Sequence, residues 1–238
     1  MKIIYALLLT LTLSVFSQAA DSVAETFLSL DLFTAANAYE KDKNSLGGLV
    51  DAASALGWDS AAAKMSISGS WGLRGGALWP ISGTQTRLGG SFGYIAGPGS
   101  ELTLTLSDPI GGNPIITETN KTSYLRMLLE IKHRLPLGKT TSIDAGGGLG
   151  IANGKMVKET VCNGSGCANP GSISEMHESS TGLTWELSPR LNIQMTRKSN
   201  LGLGVRYAGF PKMKETDDFN EFEWTPFGLF LEFTHMIF

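Results

Sequence analysis

A period of two runs through this sequence. In residues 26–34, Leu28, Leu30 and Leu32 alternate with Ser29 and Asp31. Successive side chains of a strand point to opposite faces, so such a run folds as a strand with one apolar face. The same alternation returns at 65–74, 87–95, 124–135, 143–152, 183–195, 201–207 and 227–237, giving eight strands. In 124–135, for example, Leu125, Met127, Leu129, Ile131 and Leu135 oppose Arg126, Glu130, Lys132 and Arg134. The polar faces are otherwise built largely from Gly, Ser and Ala, and the chain holds 29 glycines in 238 residues. That is well above the roughly 7% of ordinary globular chains and too many for a helical bundle.

The connections alternate in length. Short ones fall at 82–85, 138–140 and 197–200, and long ones at 37–64, 96–123 and 153–180, with a shorter fourth at 210–220. An even strand number with short turns at one end and long loops at the other is the pattern of a transmembrane barrel. The expected fold is all-β, an eight-stranded antiparallel up-and-down transmembrane β-barrel with short periplasmic turns and long extracellular loops.

Where the charges sit separates this fold from a soluble barrel, which turns its charges toward water. Here they share the face of small residues: Asp31, Arg74, Arg87, Arg126, Glu130, Lys132, Arg134, Asp144, Glu186, Arg190, Arg206 and Glu232, seven basic and five acidic. An eight-stranded barrel has just enough interior for side chains to fill. Buried charges must be paired, so the expectation is an ion-pair network that plugs the lumen. The opposite face carries Tyr94, Trp185 and Tyr207 toward the long-loop end and Trp79 at the short-turn end, suited to two interfacial belts.

Export is read from the N-terminus. Lys2, an apolar run at 3–16 and then Ser17-Gln18-Ala19 make a signal peptide of residues 1–19 with cleavage after Ala19, leaving a barrel domain of 20–238. No later run reaches 18 apolar residues, so no helical span is expected. Of 19 Lys+Arg and 22 Asp+Glu in the full chain, cleavage removes Lys2, leaving an acidic balance with no basic field for nucleic acid. Cys162 and Cys167, five apart in a Gly/Ser/Asn-rich segment of an exported chain, are expected to form a disulfide. Two thiols without a neighbouring His make a poor metal site, and no phosphate loop, dinucleotide fingerprint or metal cluster is present, so neither cofactor nor metal is expected.

Three loop features stand out. Residues 45–56 read as a short helix at the barrel mouth or a flexible Ala-rich loop, and 101–120 as a hairpin projecting above the membrane, with an edge for a partner strand. Glu215, Asp217, Asp218, Glu221 and Glu223 make the last loop acidic, either a solvated run or a place for divalent cations at the lipopolysaccharide surface. His177-Glu178-Ser179 is the one constellation with catalytic chemistry, since residues two apart share a strand face and a His base activates a Ser nucleophile.

Strand number, loop asymmetry, the LGLGVRY strand at 201–207 and the terminal Phe238 resemble the eight-stranded outer-membrane barrels of the OmpA/OmpX type over residues 26–238. The resemblance implies insertion by the barrel assembly machinery, which reads a last strand ending in an aromatic residue, here Phe238. Phe238 departs from the pattern in parity, falling on the face of Glu232 and Thr234, and a bulge near His235 restores it if present. The expected function is non-enzymatic, an envelope-structural or surface-adhesion role in the bacterial outer membrane. Its expected partners are outer-membrane lipids, lipopolysaccharide and a host or surface ligand at the loops. Two alternatives stay open. His177 and Ser179 look like the base and nucleophile of outer-membrane lipid A deacylases, although the flanking residues differ from that family's H-Y-S-N. The other is a small porin-like channel for hydrophobic ligands, similar to OmpW barrels.

Overall fold

The computed structural model describes residues 24–34, 40–107, 112–214 and 221–237. The signal segment, most of the acidic loop (215–220) and Phe238 lie outside the described residues. The strands are β1 Ala24–Phe33, β2 Ser60–Ile67, β3 Ser70–Pro80, β4 Thr86–Ser107, β5 Ile115–Pro136, β6 Thr141–Asn163, β7 Ile173–Leu187, β8 Arg190–Gln194, β9 Ser199–Gly209, β10 Met213–Lys214, β11 Glu221–Phe222 and β12 Phe227–Ile237, with one helix, α1, at Glu40–Ala55. Antiparallel pairing runs β1, β3, β4, β5, β6, then β7 with β8, then β9 and β12. β12 returns to β1 from Phe33↔Gly228 to Ala24↔Ile237, so the ring closes with eight staves. β7 and β8 share one stave, interrupted at Pro189, whose missing N–H cannot continue a ladder.

Every stave obeys the sequence period. On β12, Phe227, Leu229, Leu231, Phe233 and Ile237 are exposed, while Phe230, Glu232 and Thr234 are buried. Leu28, Leu30 and Leu32 on β1, Met127 and Ile131 on β5, and Leu183, Leu187, Leu191 and Ile193 on β7 and β8 continue the outward apolar surface around the ring. Water would not tolerate an apolar surface of this extent on a monomer, whereas hydrocarbon requires it. β12 spans 11 residues, the length a tilted strand needs to cross a bilayer. At the upper rim, Trp71 packs edge-on against Tyr94 with ring centroids 6.3 Å apart, and Trp185 against Tyr207 at 5.2 Å.

Two glycines set how closely the staves approach. A Cβ on Gly150 would lie 1.8 Å from the Met127 carbonyl oxygen, and one on Gly89 2.0 Å from that of Ala77, so no side chain fits at either place. This close approach is one reason the inner face is so rich in glycine.

The second strand differs from its sequence reading. Residues 65–74 are split at Ser68 and Gly69 into β2 and β3, and only β3 belongs to the ring. The split is pinned by Ser68, whose backbone N–H donates to the Gly99 carbonyl at 2.9 Å while its Oγ accepts from the Gly99 N–H at 3.0 Å. Opposite it, the β4–β5 register shifts between Ala96 and Gly99.

The expected long loops also differ. Much of 96–123 and 153–180 is strand, because β4, β5, β6 and β7 run on beyond the aromatic rim as one sheet. β4 alone has 22 residues, twice what the membrane needs, so its upper half runs on beyond the rim for about 37 Å of strand at ~3.4 Å per residue. The period of two persists there, but with Thr, Ser, Lys and Glu outward, which lipid excludes. The projecting 101–120 hairpin is therefore present, but it is not an edge. β2 pairs with β4 on one side and β6 with β5 on the other. α1 packs against β2, burying Ala53.

Leu231→Arg, on the lipid face of β12, is expected to cost about 2–4 kcal/mol in urea unfolding from phospholipid vesicles. Thr119→Arg, on the outer face of the sheet above the rim, is expected to change stability by less than about 0.5 kcal/mol.

Candidate functional site

The inward faces of the staves bring the predicted charges together. Arg74, Arg126, Glu130, Lys132, Asp144, Glu186, Arg190, Arg206, Asp31 and Glu232 are all 3% exposed or less, and Arg87 and Arg134 lie just inside the lower rim. Ion pairs join them across the lumen rather than along one strand. Arg74 on β3 reaches Glu130 on β5 at 2.7 Å, Glu186 on β7 at 2.5 Å and Glu232 on β12 at 3.3 Å. Glu232 also receives Lys132 at 2.9 Å and contacts Arg190. Asp144 accepts from Arg134 at 2.9 Å and Arg190 at 2.7 Å. At the upper end, Asp31 pairs with Arg206, and Glu186 lies 2.9 Å from Arg126 and 3.5 Å from Arg206.

One member escaped the sequence reading. Glu25, at the start of β1, is 2% exposed and pairs with Arg87 at 2.8 Å, Arg134 at 3.3 Å and Arg190 at 3.6 Å. It precedes the first Leu of the alternation, so the pattern that located the others begins too late for it. Its parity with Asp31, both odd-numbered on β1, was the available signal. With Glu25 included, every one of these charges is linked to the others through shared partners.

Aromatic rings close the upper end. In the barrel mouth Phe210 stacks on Trp224 with centroids 5.0 Å apart and meets Tyr124 at a tilt, 4.6 Å away. Phe33 meets Trp224 edge-on at 5.8 Å, and the Trp224 indole N–H donates to the Thr34 carbonyl at 3.3 Å. Phe210, Trp224, Tyr124, Met156 and Met213 are all buried in this cluster. Below it, the Arg206 guanidinium lies 4.1 Å from the centroid of Phe230 and the Lys132 ammonium 4.2 Å from that of Phe27, so cation–π contacts supplement the ion pairs. Composition carried no hint of the cap, since only the placement of Phe210, Met213, Phe222 and Trp224 in the mouth brings these rings together.

His177 and Ser179 lie on β7 above the rim, both exposed on the outer face of the sheet, opposite Val157 and Lys155. Residues two apart on a strand share a face, so the spacing itself leaves the two side chains within reach of one another. The carboxylate beside His177 is Glu175 at 3.6 Å, on the side away from Ser179. Cys162 and Cys167 form a disulfide at the tip of the β6–β7 connection. Of the acidic loop, Glu223 pairs with Lys212 at 3.0 Å. The β1–β12 register runs unbroken through His235 to Ile237, so no bulge re-phases the C-terminus among the described residues. The His235 ring instead hydrogen-bonds Ser199 Oγ at 2.9 Å. No group of metal-ligating side chains is found among the described residues.

These features define a class: a transmembrane β-barrel whose lumen is filled by ion pairs and capped by aromatic rings. No protein-family model and no curated protein matches the chain. Solved structures similar to it include a major outer membrane protein from Thermus thermophilus, at 11% identity and TM-score 0.45, covering 90% of this chain and 99% of that one. Neisserial surface protein A is similar at 11% identity and TM-score 0.40, covering 88% and 96%. OprG from Pseudomonas aeruginosa gives 11% and 0.40, covering 91% and 96%.

Removing one partner of a buried ion pair leaves the other charge uncompensated. Glu232→Gln, which strips a carboxylate from Arg74, Lys132 and Arg190, is expected to destabilise the barrel by roughly 3–5 kcal/mol in urea titration. Arg87→Gln is expected to cost less, roughly 1–3 kcal/mol, because Glu25 keeps Arg134 and Arg190 as partners.

Proposed function

We propose that the protein is an exported outer-membrane barrel, cleaved after Ala19, that anchors and displays its extracellular sheet and does not conduct. Its role is envelope-structural or adhesive. The observation that carries this reading is the continuity of β4, β5, β6 and β7 from the lipid-facing wall into the projecting sheet. A sheet that shares its hydrogen-bond ladder with a closed barrel is held rigidly at a set height, as a display surface requires and a pore does not. The ion-pair network and the aromatic cap support a sealed lumen and argue against the channel alternative. The place of His177 and Ser179 above the lipid-facing wall, with the His177 ring beside Glu175 on the side away from Ser179, argues against the lipid A hydrolase.

In this reading the barrel assembly machinery inserts the chain through its last strand and Phe238. Outer-membrane lipids contact the apolar belt. Lipopolysaccharide headgroups meet the polar rows just above the aromatic rim, where Lys121 and Lys155 point outward on neighbouring strands. The surface ligand, if adhesion is the role, meets the outer rows of Thr, Ser, Lys and Glu.

Cysteine labelling tests orientation and display together. Thr119→Cys is expected to react with a membrane-impermeant maleimide on intact cells, and Lys139→Cys, in a short turn, only after the outer membrane is permeabilised. The reverse result would place the sheet in the periplasm and overturn the reading. In planar bilayers the purified protein is expected to give no unitary conductance above the bare membrane, and steady channel openings would reinstate the pore.

A further inference from the structure

The buried charges do not sum to zero. Seven basic and six acidic side chains are linked in the lumen once Glu25 is counted, a formal excess of one positive charge among the described residues. The excess is not spread evenly. In the lower half, Arg87, Lys132, Arg134 and Arg190 stand against Glu25, Glu130, Asp144 and Glu232, four against four. Above them, Arg126 and Arg206 share Asp31 and Glu186, and Arg74 bridges the two halves, reaching Glu186 on one side and Glu130 and Glu232 on the other, so the excess positive charge centres on these three arginines.

Unsatisfied donors are most numerous at the same place, where they face the likewise unsatisfied Asp31 Oδ2 and Glu186 Oε2, while Arg74 Nε, Arg87 Nη1 and Asn192 Nδ2 are unsatisfied elsewhere. Arg126 is 1% exposed, yet its Nε, Nη1 and Nη2 make no hydrogen bond to an acceptor among the described residues. Its carboxylate neighbours are Glu186 Oε2 at 2.9 Å and Asp31 Oδ2 at 3.6 Å, close enough for attraction but not aligned for hydrogen bonding. Arg206, which brackets the same two carboxylates, leaves Nε and Nη2 without acceptors. A guanidinium offers five N–H donors in a fixed fork. Water satisfies donors but leaves the charge, and an uncompensated charge in a desolvated interior is costly. Above Arg126 lies the Phe210 ring of the cap, 5.9 Å from the guanidinium carbon, so bulk electrolyte does not screen the site.

We propose that the lumen binds one small monovalent anion, chloride in the cell, between Arg126 and Arg206 beneath the aromatic cap. The anion brings the lumen to neutrality and accepts the orphaned guanidinium N–H groups. Because the cap covers it, the anion enters when the barrel folds and is retained afterwards. This goes beyond the display role and rests on the proposed reading only in its sealed lumen, which planar-bilayer conductance tests separately.

Purified protein is refolded into detergent micelles in sodium chloride, sodium bromide or sodium gluconate at one ionic strength. The temperature at which the compact gel band is lost is then followed against halide concentration. A ligand that binds only the folded state raises the midpoint steadily with the logarithm of its concentration. The expected result is a midpoint several degrees higher in either halide than in gluconate, climbing with concentration, and a response that vanishes in Arg126→Met. Crystals grown in bromide are expected to show one anomalous peak within hydrogen-bonding reach of Arg126. That measurement needs no variant, so it decides the matter even if Arg126→Met does not fold. Equal midpoints in halide and gluconate, or bromide peaks confined to the protein surface, overturn the proposal. So does a halide response that Arg126→Met leaves intact.

Discussion

A strand edge inside hydrocarbon exposes N–H and C=O groups that nothing there can satisfy, so a sheet that enters a membrane must close. The seam between β1 and β12, ten register pairs long, is what meets that demand here. The rest of the molecule follows from it. Closing eight staves gives a lumen too narrow for water to fill freely, so the inward side chains must satisfy one another. The outward ones must be apolar, and the short turns and long extensions are pushed to opposite ends. The contrast between the two ends of β4 expresses the same constraint. Below the shift between Ala96 and Gly99 the strand is part of a closed wall, and above it the sheet is free to open, because water is available to its edges.

The lumen meets its own demand in two ways. Small residues let neighbouring backbones approach, as at Gly89 and Gly150, and the remaining space is spanned by long charged side chains from opposite walls. Arg74 shows why this works: one guanidinium on β3 touches carboxylates from β5, β7 and β12. Such a side chain ties staves that have no shared hydrogen bonds. The aromatic cap does complementary work at the mouth, where Trp224 and Phe210 exclude water from the uppermost arginines. Charge pairs that would contribute little at a surface become consequential when they are desolvated, in both directions.

How the sheet projects follows from the same ladder. A flexible loop would present its side chains at no set spacing, whereas a ladder continuous with the barrel holds rows of Thr, Lys and Glu at fixed intervals. The disulfide at Cys162 and Cys167 closes the tip of that ladder, limiting the freedom of its least supported turn. The sheet above the rim thus shares one continuous hydrogen-bond ladder with the wall below it.

Much of the fold was legible in the residues alone, because strand alternation is a local property. Leu28, Leu30 and Leu32 against Ser29 and Asp31 state which side meets lipid without reference to any other part of the chain. That local rule identified eight staves and twelve of the charges now seen in the lumen. It missed Glu25 because one residue at a strand end carries no period, and it joined β2 to β3 because the alternation runs on through Ser68 and Gly69. It read the upper halves of β4 and β5 as connecting segments because their polar alternation lacks the apolar face that marks a wall. Which arginine meets which carboxylate, the return of Phe210 and Trp224 into the mouth, and the placement of His177 and Ser179 above the rim were decided only by tertiary structure. Those contacts join residues as far apart as Arg74 and Glu232, and only ring closure and the stagger of the staves bring such partners into reach.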